Sequence, residues 1–310
     1  MRAGADQTDP RPAVAPPGRI GYRRGPMNQI ATPAARSASL SFQADMSWAG
    51  RSRLAVADIR DGLRLWRLAW ALGWLDIRLR YRGSVLGPLW LTISTGVMVG
   101  ALGFLYSTLF KMELHDYLPF LALSQVLWAF MAMTVSDACT GFTEAEPVIR
   151  SVRMPFTVFA LRTIIRNVAI LAHNIIVIVV VFAIFQRWPG AGALFAIPAL
   201  ALWLVNAMAL NLLLGAFCAR FRDILPIINS VMQIAFFLTP VIWKPEQLGH
   251  LAWILPFSPF FDLIEIVRAP LLNGVLPVTA WIGALGYSAV LLVATWAFFI
   301  RARGRIAFWL

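Results

Sequence analysis

Charge is scarce in this chain. Of its 310 residues 14% are charged, only 15 of them acidic, against 59% hydrophobic. That is too little polar surface for a water-soluble protein of this length, so a soluble enzyme or binding domain is excluded. Only two cysteines occur, Cys139 and Cys218. A disulfide framework is therefore excluded, and neither cysteine has a metal-ligand partner at useful spacing. The two lysines, Lys111 and Lys244, follow Phe110 and Trp243. A phosphate-cradling loop ends in Gly-Lys-Ser/Thr, so this polypeptide does not bind ATP in that way. His115, His173 and His250 are scattered, and no HExxH, CxxC or GxSxG pattern occurs. His173, beside Asn174, reads as a hydrogen-bonded interior residue. No catalytic, cofactor or metal-binding constellation is expected. Acidic residues are also missing from the middle of the apolar runs, which argues against an ion-coupled carrier.

The apolar runs themselves are plentiful. Charge-free windows of at least twenty residues are Gly83–Phe110, Tyr117–Ser136, Asn167–Gln186, Trp188–Ala219, Ile224–Trp243 and Ala269–Ile300. A bilayer core about 30 Å thick needs roughly 20 such residues. The expected fold is an all-α integral membrane protein with six transmembrane helices. An arrangement with the N-terminus inside places 23 of the 27 lysines and arginines in the cytoplasm, leaving Lys111, Arg187, Lys244 and Arg268 outside. The positive-inside rule thus puts both termini in the cytoplasm. It also explains most of the net charge of +12 without nucleic acid as a partner. The chain divides into a disordered cytoplasmic tail (1–50, Pro- and Arg-rich), an amphipathic helix on the membrane surface (51–82), and the six-span domain (83–310).

In the amphipathic segment Ile59, Leu63, Trp66, Trp70, Trp74 and Ile77 fall on one stripe at helical spacing, flanked by arginines that include Arg78. Tryptophan and arginine suit the headgroup boundary. Leu65, Leu68 and Leu72 occupy the opposite face, which fits either a surface that packs on protein or a plain interfacial anchor. An elbow follows, Arg80-Tyr-Arg-Gly-Ser-Val-Leu-Gly-Pro-Leu-Trp90, in which Arg80 and Arg82 stand at headgroup level before the chain enters hydrocarbon. Gly83xxxGly87 and Gly96xxxGly100 permit close helix packing. In the cytoplasmic loop 141–155, Glu144 and Glu146 come early and Arg150 and Arg153 late, which complements a helix dipole. A short helix ended by Pro155 and an ordinary solvated loop both fit. On the outer side, residues 240–270 alternate apolar pieces with Pro240, Pro245, Pro256, Pro259 and Pro270, as short re-entrant helices or as helices lying on the outer leaflet. Aromatic residues in the spans (Trp90, Tyr106, Trp128, Phe236, Phe237, Trp243) serve either as packing or as faces on which sugars stack.

Taken together, the Arg80–Trp90 elbow, Arg220-Phe-Arg-Asp-Ile224 running into Gln233-Ile-Ala-Phe-Phe-Leu-Thr-Pro-Val-Ile-Trp243, and Pro256-Phe-Ser-Pro-Phe260 followed by Arg268 resemble the membrane subunit of type-2 ABC exporters. The resemblance is to the polysaccharide branch, which exports O-antigen, capsule and teichoic-acid polymers across the bacterial cytoplasmic membrane. It runs from about Leu63 to the C-terminus, and departs at Ser258-Pro259, where the family commonly has Asn-Pro. It implies that the helix carrying Trp66, Trp70, Trp74, Arg78, Arg80 and Arg82 is a cytoplasmic gate helix. It implies that Glu144, Glu146, Arg150 and Arg153 belong to a coupling helix docking into an ATPase, and that Pro240, Pro256, Pro259 and Arg268 belong to an outer gate. It further implies a homodimer working with two ABC ATPase subunits, which hold ATP and Mg, on a lipid-linked glycan in contact with membrane lipid. A drug or small-molecule exporter of the same superfamily is the alternative. A membrane-embedded transferase would need grouped acidic or histidine residues, and His250, Asp262 and Glu265 are a poor set.

Overall fold

Five of the six apolar windows fold as long helices in the computed structural model, which describes residues 47–83, 87 and 89–310. The proline- and arginine-rich tail up to residue 46, read as disordered, and elbow residues 84–86 and 88 lie outside the described residues. In chain order the helices are α1 (Trp48–Arg64), α2 (Trp66–Arg80), α3 (Leu89–Leu109), α4 (Leu114–Thr140), α5 (Glu146–Ser151), α6 (Phe156–Ile184), α7 (Ala196–Arg220), α8 (Ile224–Leu238), α9 (Pro259–Asn273), α10 (Val278–Ala302) and α11 (Ile306–Trp309). No strand occurs among the described residues. Among the described residues two 3-10 stretches complete the connections, Ala191–Phe195 before α7 and Pro245–Phe257, broken at Gly249, before α9.

The central helix is α4. Its Leu123, Val126 and Leu127 pack in one cluster with Trp203 of α7, Val267 of α9 and Ala284 of α10. Phe130 stacks on Trp203 at 5.7 Å, and the Trp203 indole N–H donates to the Leu263 carbonyl at 2.9 Å. A second cluster closes the end of the bundle that carries both described chain ends. It joins Ala55 of α1, Phe142, Phe156 and Phe159, Leu212 of α7, Phe299 of α10 and Ile306 of α11. Large apolar side chains such as Val180, Ile184, Val290 and Val293 face outward, as lipid contact requires.

Several elements depart from the sequence expectation. Helix begins at Trp48, inside the segment assigned to the tail, because the Ser47 hydroxyl accepts from the Gly50 N–H at 3.3 Å and starts α1. The single amphipathic helix is two helices broken at Leu65, so that α1 seats on the first turn of α6 while α2 lies along its flank. The fifth window is the 15-residue α8, about 22 Å long at 1.5 Å per residue and short for a full crossing. Pro270, expected as a boundary, lies inside α9, which runs on to Asn273 and ends at the left-handed Gly274 (φ 66°). The 3-10 segment Pro245–Phe257 and α9 meet at 107°.

Candidate functional site

The end of the bundle built from α1, α2, α5 and the start of α6 carries the expected gate-helix and coupling residues. Trp66, Trp70 and Trp74 are 55%, 54% and 41% exposed, and Arg78, Arg80 and Arg82 are exposed beside them. The face turned inward is not that of Leu65 and Leu68, which are exposed, while Leu72 is half-buried. It consists of Ala55, Asp58, Gly62, Ala69, Gly73 and Ile77, the last of which the sequence stripe had placed with the tryptophans. Small residues win here because the backbones touch. A Cβ on Gly62 would overlap the Thr157 side chain, and one on Gly73 would lie 2.8 Å from the Arg162 carbonyl oxygen. Burial pushes the Tyr81 phenol at the end of α2 above its ordinary value, against the opposing pull of Arg80.

Carboxylates do the remaining fastening. Asp76 of α2 accepts a two-nitrogen fork from Arg162, both distances 2.6 Å. Arg166, one turn further along α6, is 5% exposed and reaches Asp137 of α4 at 2.9 Å, Glu144 at 3.3 Å and Asp76 at 3.8 Å. The other oxygen of Glu144 accepts from the Thr140 hydroxyl at 2.9 Å. Glu144 is therefore held by the bundle, and not only presented outward. Glu146 and Arg150 pair with each other along α5 at 2.9 Å, and Arg150 and Arg153 are exposed. A short helix does form in the loop, anchored by the buried ring of Phe142, which lies 5.5 Å from Phe156.

Of the six candidate channel aromatics, the structure gathers four. Trp128 of α4 with Phe236 and Phe237 of α8 line an open groove of about 500 Å³, together with Ser136, Asn229 and Gln233. Trp128 lies 5.7 Å from Phe236, and the Trp243 indole N–H donates to the Phe237 carbonyl at 3.1 Å. Ser136 donates to Asn229 Oδ1 at 2.5 Å across the groove. Trp90 and Tyr106 lie on α3 away from it; Tyr106 stacks instead on Phe110 at 5.4 Å.

At the opposite end Arg268 of α9 is 2% exposed. It donates to the Pro240 carbonyl at 2.6 Å, to the Ser124 hydroxyl at 2.9 Å and to Glu265, and covers the Phe120 ring at 4.6 Å. It is thus a buried strut tying the turn after α8 to α4 and α9. Pro259 opens α9, with the Ser258 hydroxyl as its N-cap, a role that asparagine also fills. Pro256 is exposed in the 3-10 segment before it. A cavity of about 300 Å³ beside Arg268 is lined by Asp116, Arg187, Lys244 and Glu265, with Arg187 paired to Asp116.

Sequence reasoning missed Asp58 and Asp76. One signal was available: they stand 18 residues apart, five helical turns at about 3.6 residues each, on one face with Gly62 and Gly73.

Residues 67–272 match the family described as ABC-2 type transporter. The chain is 21% identical over 203 residues to the O-antigen export system permease protein RfbA of Klebsiella pneumoniae, covering 65% of this chain and 78% of that one. It is 21% identical over 225 residues to the protein of the same name from Myxococcus xanthus, covering 72% and 86%. Members of this family are the membrane subunits of transporters and partner an ABC ATPase subunit. A match over most of the chain, on a bundle of long apolar helices, places it: this multi-pass protein of the bacterial inner membrane belongs to the ABC-2 type transporter family.

Proposed function

We propose that this chain is the permease subunit of an ATP-driven exporter that moves polysaccharide or lipid-linked glycan across the cytoplasmic membrane. Two copies form the path, and two ABC ATPase subunits supply the energy. ATP and Mg belong to those partners, and this chain binds neither. The termini and α5 face the cytoplasm, as the distribution of 23 of 27 basic residues favours. The paired α1 and α2 lie at the membrane surface as the gate. The short α8 serves as the fifth span, and the bent pair Pro245–Phe257 and α9 as the re-entrant outer gate.

The observation that carries the glycan reading is the groove between α4 and α8. Its aromatic rings offer apolar faces, and Ser136, Asn229 and Gln233 offer hydroxyl and amide groups, the mixture a sugar requires. The relatives named for O-antigen export support the same substrate class. The outward-facing Ile227, Val231, Ile234 and Phe237 of α8 supply an apolar surface for a second copy, which would close the open side of the groove. The test is co-purification with the partner ATPase in lipid, followed by ATP turnover and glycan export. The variants are Glu146→Ala/Arg150→Ala/Arg153→Ala at the docking surface and Trp128→Phe in the groove. Loss of association or turnover in the first, and of export but not turnover in the second, are the expected results. An ATPase that never binds overturns the exporter reading, and export of small amphiphiles but not glycan moves the substrate to the drug class.

A further inference from the structure

Basic residues are scarce on the outer side of this chain, and they are not scattered. Of the four that the charge distribution leaves there, Arg187, Lys244 and Arg268 line the cavity of about 300 Å³. Four separate stretches build its wall: the start of α4, the loop after α6, the start of the Pro245–Phe257 stretch, and α9. Its charges are matched unevenly. Asp116 is taken by one nitrogen of Arg187 and stands 3.6 Å from His115. Arg268, its side chain 3% exposed, turns two nitrogens to Glu265 Oε2 and the third to Ser124 and Pro240. Among the described residues this leaves Glu265 Oε1 without a partner. Lys244 forms no salt bridge among the described residues; its ammonium stands 5.9 Å from the centre of the Phe120 ring. Glu246 forms none there either, and Trp188, 61% exposed, completes the wall.

The unmatched groups are of three kinds, and together they describe a ligand. A half-buried ammonium with no carboxylate in contact recognises an anionic group. Carboxylate oxygens accept from hydroxyls, and an indole offers a flat apolar face. An inorganic anion would leave Trp188 and the carboxylates unused, and a neutral sugar would leave Lys244 unmatched. The volume is at the small end for ligand sites, about 300–1,000 Å³, which suits a single ring and not a length of polymer. We propose that this cavity is an outer-side subsite for one acidic sugar residue, a ring bearing a carboxylate or phosphate. Lys244 and the remaining nitrogens of Arg187 hold the anionic group, Glu246 and Glu265 Oε1 accept from ring hydroxyls, and Trp188 covers an apolar face. Arg268 is a positioning residue that fixes Glu265. The cavity shares no residue with the groove between α4 and α8, so it is a second place for sugar. This deepens the glycan reading and rests on it only for the source of the sugar, the emerging polymer.

The test is calorimetric titration of the full chain in phosphatidylcholine nanodiscs with glucuronate, glucose and inorganic phosphate, against empty discs. Glucuronate should bind saturably, with glucose and phosphate each about tenfold weaker, because each offers only part of what the cavity recognises. Lys244→Gln should weaken glucuronate about tenfold, to the level of glucose, and leave glucose unchanged. Lys244→Arg keeps the charge and should retain most of the binding. Trp188→Ala should weaken both sugars but not phosphate, and carries the test if Lys244→Gln does not fold. Absence of saturable glucuronate binding overturns the proposal, as does glucuronate binding that neither Lys244→Gln nor Trp188→Ala alters. Phosphate binding as tight as glucuronate assigns the cavity to a free anion, and phosphatidylglycerol in the disc that abolishes glucuronate binding assigns it to a lipid headgroup; either overturns the sugar. The titration involves neither ATPase nor export. A cavity that binds nothing therefore leaves the exporter reading standing, and an ATPase that never associates leaves the acidic-sugar site standing, with free saccharide as its occupant.

Discussion

Replacing Asp58 by alanine removes the acceptor for three donors at the start of α6 and the partner of Arg303. Each buried donor left without a partner costs about 1–3 kcal/mol, and breaking a buried ion pair about 3–5 kcal/mol. These contributions overlap, and Arg303 is 27% exposed, so water recovers part of its loss. A net cost of about 3–5 kcal/mol follows. At roughly 2–4 °C per kcal/mol, the melting midpoint of the detergent-solubilised chain should fall by roughly 6–20 °C. Asp58→Asn keeps one acceptor oxygen for the Thr157 donors and should lose about half as much. The assay is the midpoint of monodisperse protein by size exclusion after heating, for wild type, Asp58→Ala, Arg303→Ala and the double variant. The two single changes should be non-additive by about 0.5–3 kcal/mol because they share one contact. An Asp58→Ala midpoint within about 2 °C of wild type, less than about 1 kcal/mol, would refute this role for Asp58.

Three further outcomes use the same melts. Gly73→Val drives a side chain against the Arg162 carbonyl, 2.8 Å from the ideal Cβ, and should cost about 1–3 kcal/mol; Gly100→Ala, with no neighbour within 4 Å, should be neutral or slightly stabilising. Gly283→Ala should destabilise because its methyl would overlap the buried Asp262 carboxylate, whereas Gly286→Ala meets open space and should not. Arg268→Lys loses the fork to Glu265 and the flat cover over Phe120, and should cost about 1–3 kcal/mol despite keeping its charge.

Much of the architecture was legible because hydrocarbon imposes a simple code. Long uncharged runs became α3, α4, α6, α7 and α10, and the tryptophans of α2 face outward as their spacing implied. The short helix in the loop was legible as one of two readings, from acids placed before bases. What periodicity got wrong was the inward face of α1 and α2. An apolar scale favours Leu65 and Leu68, but the contact is set by how closely two backbones approach, and that favours glycine and alanine. The groove was half legible. Trp128 and Phe236 lie more than one hundred residues apart, and nothing local says that α4 and α8 meet while α3 stays away.

The sequence by itself determined the solvent of this protein, the long helices that meet it and the residue types of the basic end, because burial in lipid depends on composition over a window of twenty residues. Only the tertiary structure decided which charges neutralise one another. Asp58 meets Thr157 and Asp76 meets Arg162 across 99 and 86 residues of chain, and Glu144 turns to Arg166. A carboxylate's role depends on what stands within about 3 Å of it, and that distance is set by helix packing far from it in sequence.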